Sequence, residues 1–218
     1  MHLENVVVDA VDPRALGRFW EAALGTERLT DEPEGYETRL EAPDGPVIDL
    51  CFQRVAEPPT GPRRLRLHLD GGLVDLGPEH ADPEGHPFSV GPAGAAYAGG
   101  GPVLALRLEV ADPARDREFW QWLTGWVPVD DAGVVGLRHP SGLGPLLELW
   151  PEAEPKGPGK NRMHLDVRLE SGDDADVAAL GIIQRGGRER EHPDWGDLPW
   201  RFYEDPSGNE LCVLPAPR

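Results

Sequence analysis

The chain has little cysteine and no long apolar run. Its two cysteines, Cys51 and Cys212, stand in separate strand-like segments, so a disulfide framework like that of small secreted domains is not expected. No segment approaches the roughly 18 consecutive apolar residues that a membrane-spanning helix requires. The first residues also lack the basic and apolar regions of a signal peptide. These features predict a cytoplasmic protein.

Positive charge is scarce as well. The sequence contains 21 Lys and Arg against 39 Asp and Glu, which gives a net charge of -18. Because binding to nucleic acids or anionic membranes needs clustered Lys and Arg, neither is an expected partner. The chain also lacks a glycine-rich phosphate loop between a strand and a helix, and it lacks a nucleophile elbow. Nucleotide and serine-hydrolase chemistry are therefore not expected.

The most informative feature present is an internal repeat, because several short motifs occur twice in the same order. The paired motifs are Asp12-Pro13 and Asp112-Pro113, Phe19-Trp20 and Phe119-Trp120, and Gly25 and Gly125 at an offset of 100, His68-Leu69-Asp70 and His164-Leu165-Asp166 at an offset of 96, and 82–85 and 205–208 at an offset of 123. We predict a first repeat over 1–91, a flexible Gly/Ala/Pro linker over 92–102 and a second repeat over 103–218. The first repeat is shorter between its last two motifs, which predicts the loss of a helix there.

Each repeat begins with the pattern of a strand, a helix and further strands. Asp12 and Asp112 are expected helix N-caps, followed by proline at the first helical position. Gly25 and Gly125 are expected to end these helices in the left-handed conformation. Phe19-Trp20 and its copy recur at helical spacing and are predicted to pack in the core. Another helix is predicted over 174–180, ended by Gly181. The fold class is therefore α+β, built from βαβββ-like modules.

These motifs resemble the glyoxalase-like domain of the vicinal oxygen chelate superfamily. The resemblance covers nearly all of 101–215 and less of 1–91, and its most specific parts are 160–166 and 205–212. It implies tandem repeats of paired βαβββ modules whose curved mixed sheets surround a small-molecule cavity. Relatives include isomerases, dioxygenases, epimerases, thiol transferases and metal-free antibiotic-binding proteins. Whether modules pair within or across repeats stays open, because the family allows both.

The resemblance also implies where metal ligands would stand, on the first and last strands of the modules. In the second repeat these positions hold Ala105, Glu148, His164 and Cys212, and in the first repeat Asn5, Asp49, His68 and Ser89. Neither set is complete, which favours a cavity that binds a small organic molecule without metal. The alternative is a metal-dependent lyase, isomerase or dioxygenase in which Glu148, His164 and Cys212 hold zinc or iron.

The loop over 191–200 is the other candidate site, because it combines aromatic and titratable residues that can line the mouth of a cavity. We predict Glu148, His164 and His192 as candidate catalytic residues. The predicted ligand-binding residues are Asp49, His68, Trp150, Asp166, Trp195, Trp200 and Cys212. For the loop, an equally weighted interpretation is a solvent-facing segment whose tryptophans cover the core. The abbreviated half of the first repeat leaves room for a second subunit, so a homodimer is a further hypothesis.

Overall fold

A computed structural model describes residues 1–57, 60–61, 63–73, 80–131, 133–190 and 198–217, which form an α+β fold. Two mixed sheets and three α-helices make up this fold. The strands are β1 His2–Ala10, β2 Glu27–Glu32, β3 Gly35–Glu41, β4 Val47–Arg54, β5 Leu65–Asp70, β6 Ser89–Gly91, β7 Val103–Val110, β8 Val127–Asp131, β9 Val134–Arg138, β10 Leu146–Pro151, β11 Met163–Arg168, β12 Arg188–Arg190, β13 Arg201–Glu204 and β14 Glu210–Leu214, and the α-helices are α1 Pro13–Leu24, α2 Pro113–Thr124 and α3 Ala175–Gln184.

The first two helices begin and end as the sequence predicts. The Asp12 carboxylate accepts a hydrogen bond from the Ala15 N–H at 3.0 Å, and Asp112 caps α2 in the same way. Gly25 and Gly125 follow the helices with φ of 65° and 71°, a left-handed conformation that glycine adopts without steric cost. Short-range chemistry therefore determines both helices.

The third helix is longer than predicted. It continues through Gly181 to Gln184, whereas the sequence pattern predicts that it ends at Gly181. The glycine serves close packing instead, because a Cβ at this position would lie 2.4 Å from the indole ring of Trp122 on α2. The prediction was wrong because glycine also occurs inside helices where another element approaches closely.

The strand order shows how the modules combine. The eight-stranded sheet has the order β12-β13-β14-β11-β1-β4-β3-β2, and the six-stranded sheet has the order β6-β5-β7-β10-β9-β8. In each sheet a strand of the first repeat pairs antiparallel with a strand of the second, β1 with β11 and β5 with β7. The modules therefore pair across repeats. Among the described residues no helix lies between β5 and β6.

Backbone hydrogen bonds correct the alignment of the two repeats. The Asp9 N–H donates to the Arg162 carbonyl, and the Glu109 N–H donates to the Arg64 carbonyl, both at 2.9 Å. Arg162 is thus the counterpart of Arg64, at an offset of 98, and Asp166 is the counterpart of His68. The two His-Leu-Asp motifs, matched at an offset of 96, do not occupy equivalent positions. A shift of two residues keeps every side chain on its own face of a strand, so alternation could not reveal it.

Arg162 joins three segments in the interior. Its side chain is 2% exposed and donates to the Asp9 carbonyl at 3.1 Å and to the Glu84 carboxylate at 2.9 Å. Glu84 also accepts the backbone N–H groups of Val11 and Asp12, so the turn before β6 is tied to the start of α1. This cluster connects the abbreviated module, whose strands belong to the six-stranded sheet, to the end of β1 in the eight-stranded sheet.

The segment over 92–102, predicted to be a flexible linker, packs against the second repeat. It contains a short 3-10 helix, Ala95–Tyr97. The Arg138 guanidinium donates to the carbonyls of Ala96 and Ala98, and the Gly144 N–H donates to the Gly99 carbonyl at 2.9 Å. These contacts hold the segment beside the six-stranded sheet.

One hydrophobic core includes both sheets and all three helices. Trp20, Phe119 and Trp120 are at most 3% exposed and belong to it, which confirms their predicted packing role. None of the helices in the described part of the chain has the length and apolar character needed to span a bilayer.

We predict that Arg162→Met lowers the free energy of unfolding by about 3–5 kcal/mol, because it leaves the buried Asp82 carboxylate and the partly buried Glu84 carboxylate without their cation. Urea unfolding measures the change. The control is Arg18→Met, whose side chain is 57% exposed in its pair with Asp31, and for which a much smaller change is expected because solvent screens the pair. Equal losses in the two variants would show that Arg162 does not join the segments as described.

The buried imidazole of His86 makes stability depend on pH. It is 2% exposed and hydrogen-bonds through Nε2 to the Leu65 carbonyl, and burial lowers its pKa to about 4. Between the folded pKa and the unfolded value of about 6.5, the unfolded chain binds the additional proton. Stability is therefore lost as the pH falls from about 6.5 to about 4, by up to about 3 kcal/mol. His86→Gln, which keeps a donor for the carbonyl, is expected to flatten this part of the curve of unfolding free energy against pH, and an unchanged curve contradicts the assignment.

Candidate functional site

An open cleft lies over one face of the eight-stranded sheet. Two adjoining cavities, of about 430 and 440 Å³, share Gln53, His164, Trp200 and Cys212 as lining residues. Because side chains alternate along a strand, His164 and Asp166 on β11 face the same side. Cys212 on the neighbouring β14 stands beside Asp166 in the strand register. The pairing across repeats adds β1 and β4 of the first repeat to the same floor.

Three buried side chains meet at this floor. His164 Nε2 lies 3.6 Å from Cys212 Sγ and 3.4 Å from Asp166 Oδ1. One ligand atom from each residue lies within 4.8 Å of the others, and all three residues are at most 6% exposed. Asn5 of β1 donates a hydrogen bond to Asp166 Oδ2 at 3.2 Å. We call His164, Asp166 and Cys212 the floor cluster.

Burial determines the charge state of the floor cluster. Loss of solvent lowers the pKa of His164 to about 3, with a further contribution from the Lys160 ammonium. The same loss of solvent raises the pKa of Asp166 to about 7 and raises that of the Cys212 thiol above its ordinary value. Each group is therefore shifted toward its neutral form, because an isolated charge is costly in a medium of low polarity.

The donor set of the floor cluster fits a divalent cation. It offers imidazole nitrogen, carboxylate oxygen and sulfur, a combination that suits zinc or iron better than magnesium. Within the described residues, Asp166 Oδ1 and His164 Nδ1 have no hydrogen-bond partner. A buried carboxylate oxygen without a hydrogen bond is costly, and a bound cation would satisfy it.

The rim of the cleft combines apolar and charged groups. Trp200, Leu198 and Phe202 line one side, and the rings of Phe202 and His164 meet edge to face with centroids 6.5 Å apart. On the other side, Lys160 donates to both carboxylate oxygens of Asp9 at 2.7 and 2.8 Å, and Gln53 donates to the same group. A ligand in the cleft would therefore meet both aromatic surface and polar groups.

Glu148 belongs to a different place. It lies on β10 in the six-stranded sheet, whereas His164 and Cys212 lie in the eight-stranded sheet. There its Oε2 accepts hydrogen bonds from Arg107 Nε at 2.7 Å and from Trp150 Nε1 at 2.9 Å. The sequence-based grouping of Glu148 with His164 and Cys212 is thus corrected, because Asp166, not Glu148, completes the cluster.

The remaining predicted residues are distributed as follows. His68 faces the same side of the six-stranded sheet as Glu148 and hydrogen-bonds to Ser89 Oγ at 2.9 Å. Asp49 is in the eight-stranded sheet, where both of its oxygens accept from Arg39 at 2.8 Å. Trp200 lines the cleft. His192 and Trp195 lie outside the described residues.

Four residues around the cleft and around Glu148 were not predicted from the sequence, namely Gln53, Lys160, Tyr97 and Arg107. Arg107 offered a signal, because all residues of the strand 104–110 except Arg107 and Glu109 are apolar, and a basic residue in such a strand indicates a partner of opposite charge. Lys160 and Gln53 had no comparable signal, because they meet at Asp9 only when the two repeats share a sheet.

Comparisons with known proteins agree with this architecture. A family model described as a glyoxalase-like domain matches residues 5–81 and 105–214. Glyoxalase I from Zea mays has the same fold with a TM-score of 0.65 and 14% identity, over 98% of this chain and 92% of that chain. A proposed dioxygenase from Bacillus subtilis subsp. subtilis str. 168 gives a TM-score of 0.61 and 13% identity, over 100% and 86% of the two chains.

At these identities the structural likeness establishes the fold alone. A comparison with curated proteins finds no match. The family model, in contrast, covers most of both repeats and confirms the resemblance carried by the repeated motifs. The chain therefore belongs to the glyoxalase-like domain family of the vicinal oxygen chelate superfamily.

Proposed function

We propose that this protein binds a small organic molecule in the cleft of the eight-stranded sheet, above a zinc-type divalent cation held by the floor cluster. The observation that carries the proposal is the meeting of His164, Asp166 and Cys212 within 4.8 Å at the base of an open cleft. Three protein ligands at one side of a cavity leave a position for an external ligand, as in catalytic zinc sites.

The position of Ala105 in the fold does not count against a metal site in the cleft. The incomplete ligand sets of the repeats favoured a metal-free cavity, partly because the Ala105 side chain cannot bind a metal. Ala105 lies on β7 in the six-stranded sheet, so it does not belong to the floor cluster. When bound, a zinc ion would supply a Lewis acid that polarises an oxygen of the ligand. The metal-dependent lyase and isomerase activities of the superfamily are consistent with such a site.

The rim indicates what kind of molecule would fit. The Trp200 side chain favours a planar or apolar portion of the ligand, because aromatic faces provide large contact area. Lys160 is 34% exposed, so its ammonium can contact an acidic or carbonyl oxygen while it stays beside Asp9. We therefore propose an organic ligand with an apolar body and at least one anionic or carbonyl group.

The metal-free cavity is the second candidate function. It is favoured by the neutral forms that burial imposes on His164 and Cys212, which let the floor cluster persist without a cation. In this case the aromatic rim and the Lys160 ammonium would bind the ligand without metal. Zinc binding distinguishes the two candidates.

We predict that the protein binds one zinc ion per chain and that His164→Ala and Cys212→Ser each abolish this binding. Isothermal titration of chelator-treated protein with zinc chloride measures the stoichiometry, and the thermal midpoint provides an independent measurement. A hundredfold excess of zinc over its dissociation constant should stabilise the wild type by about 2.7 kcal/mol, and these variants by much less.

The matched controls are Cys51→Ser and His139→Ala. Cys51 is the other cysteine beside the cleft, and His139 is a partly exposed histidine bonded to Ser141, so neither belongs to the floor cluster. Both variants are expected to bind zinc like the wild type. Absence of zinc and iron binding in the wild type would favour the metal-free cavity, and loss of binding in the control variants would assign the metal to other residues.

A further inference from the structure

The six-stranded sheet has a polar face equivalent to the floor of the cleft, and the side chain of Arg107 occupies it. Arg107 on β7 lies at its centre with its side chain 18% exposed. Its Nη1 donates to Ser89 Oγ at 2.9 Å and its Nη2 donates to the Tyr97 hydroxyl at 3.1 Å, in addition to the bond from Nε to Glu148. Its guanidinium carbon lies 4.6 Å from the centre of the Trp150 ring.

We propose that this face is a guanidinium-binding cage and that Arg107 occupies it as a tethered ligand. Arg107 thereby closes this face of the six-stranded sheet to other molecules, whereas the equivalent face of the eight-stranded sheet is the open cleft. The cage consists of Glu148, Trp150, Ser89 and Tyr97. It provides one buried carboxylate, one aromatic face and two neutral oxygens. A planar cation with several N–H groups matches this set, because it can stack on the ring while it donates in its own plane.

The two repeats carry different residues at the positions that close the face of the six-stranded sheet. Arg107 stands beside Glu148 in the register of β7 with β10, and at the equivalent positions of β1 and β4 Val7 stands beside Cys51. Val7 and Cys51 line the open cleft. Two side chains of opposite charge therefore fill one face, and two small uncharged side chains leave space on the other.

The segment between the repeats completes the cage. Tyr97 belongs to the short 3-10 helix over Ala95–Tyr97 and contacts His68 edge to face, with ring centroids 5.3 Å apart. His68 in turn hydrogen-bonds to Ser89, the acceptor of Arg107 Nη1. The cage thus has walls from both repeats and a cover from the segment that joins them.

Chemical rescue tests the proposal. In Arg107→Ala the cage should lack its cation, and added methylguanidinium should bind there. We expect the variant to melt several degrees below the wild type and to regain at least about 3 °C in 10 mM methylguanidinium chloride, as a ligand selective for the folded state does at about tenfold excess over its dissociation constant. The wild type should show no rise, because its own side chain fills the cage.

Three controls test whether the rescue is specific to a guanidinium group in the cage. Methylammonium, which lacks the planar fork, should produce less than half of the rescue. Arg39→Ala removes an arginine that binds Asp49 through two hydrogen bonds and is 38% exposed, so methylguanidinium should not rescue it. The double variant Arg107→Ala with Glu148→Gln should lose the rescue, because the carboxylate is missing.

The proposal fails if methylguanidinium stabilises Arg107→Ala no more than it stabilises the wild type or Arg39→Ala. It also fails if zinc rescues the variant and methylguanidinium does not, since the face would then be a blocked metal site. If Arg107→Ala is unfolded when purified alone, refolding in 10 mM methylguanidinium is the readout. Refolding only with that cation supports the cage, and unfolded protein in both conditions contradicts it.

Discussion

The architecture of both faces depends on the antiparallel pairing of β1 with β11 and of β5 with β7. This pairing places a strand of one repeat against a strand of the other, so each sheet takes its side chains from both repeats. Asn5 thereby reaches Asp166, and Lys160 reaches Asp9. The buried Arg162 holds this arrangement in register, because its guanidinium binds the end of β1 and the turn before β6 at the same time.

The open cleft and the cage lie on equivalent faces of the two sheets, but their buried carboxyl groups have different partners. In the open cleft, burial shifts His164, Asp166 and Cys212 toward neutral forms, and Asp166 Oδ1 keeps no hydrogen bond within the described residues. In the cage, Arg107 balances the charge of Glu148 directly. Glu148 has an arginine as its cation partner, although its Oε1 also accepts no hydrogen bond, whereas Asp166 pairs with no Lys or Arg side chain among the described residues and could bind an external cation. This contrast explains why we propose an external ligand for only one of the two faces.

Much of the fold follows from local sequence signals. The caps at Asp12 and Asp112, the left-handed glycines and the tryptophans at helical spacing determine α1, α2 and their packing. The repeated motifs at 82–85 and 205–208 form turns, in which each aspartate carbonyl accepts a hydrogen bond from the glycine three residues later. These predictions hold because caps, turns and helix faces depend on neighbours within a few residues. The end of α3 was wrong because Trp122, remote in sequence, decides the role of Gly181.

By itself the sequence determined the class of fold, the duplication, the family resemblance and the candidacy of His164 and Cys212. Three features depend on the folded chain: Asp166 completes the floor cluster, Glu148 pairs with Arg107, and Asp166 is the counterpart of His68. The physical reason is that strand periodicity specifies which side a residue faces, and leaves open which strands lie beside it. Partner strands and register are chosen by packing across the whole core, over separations longer than any motif.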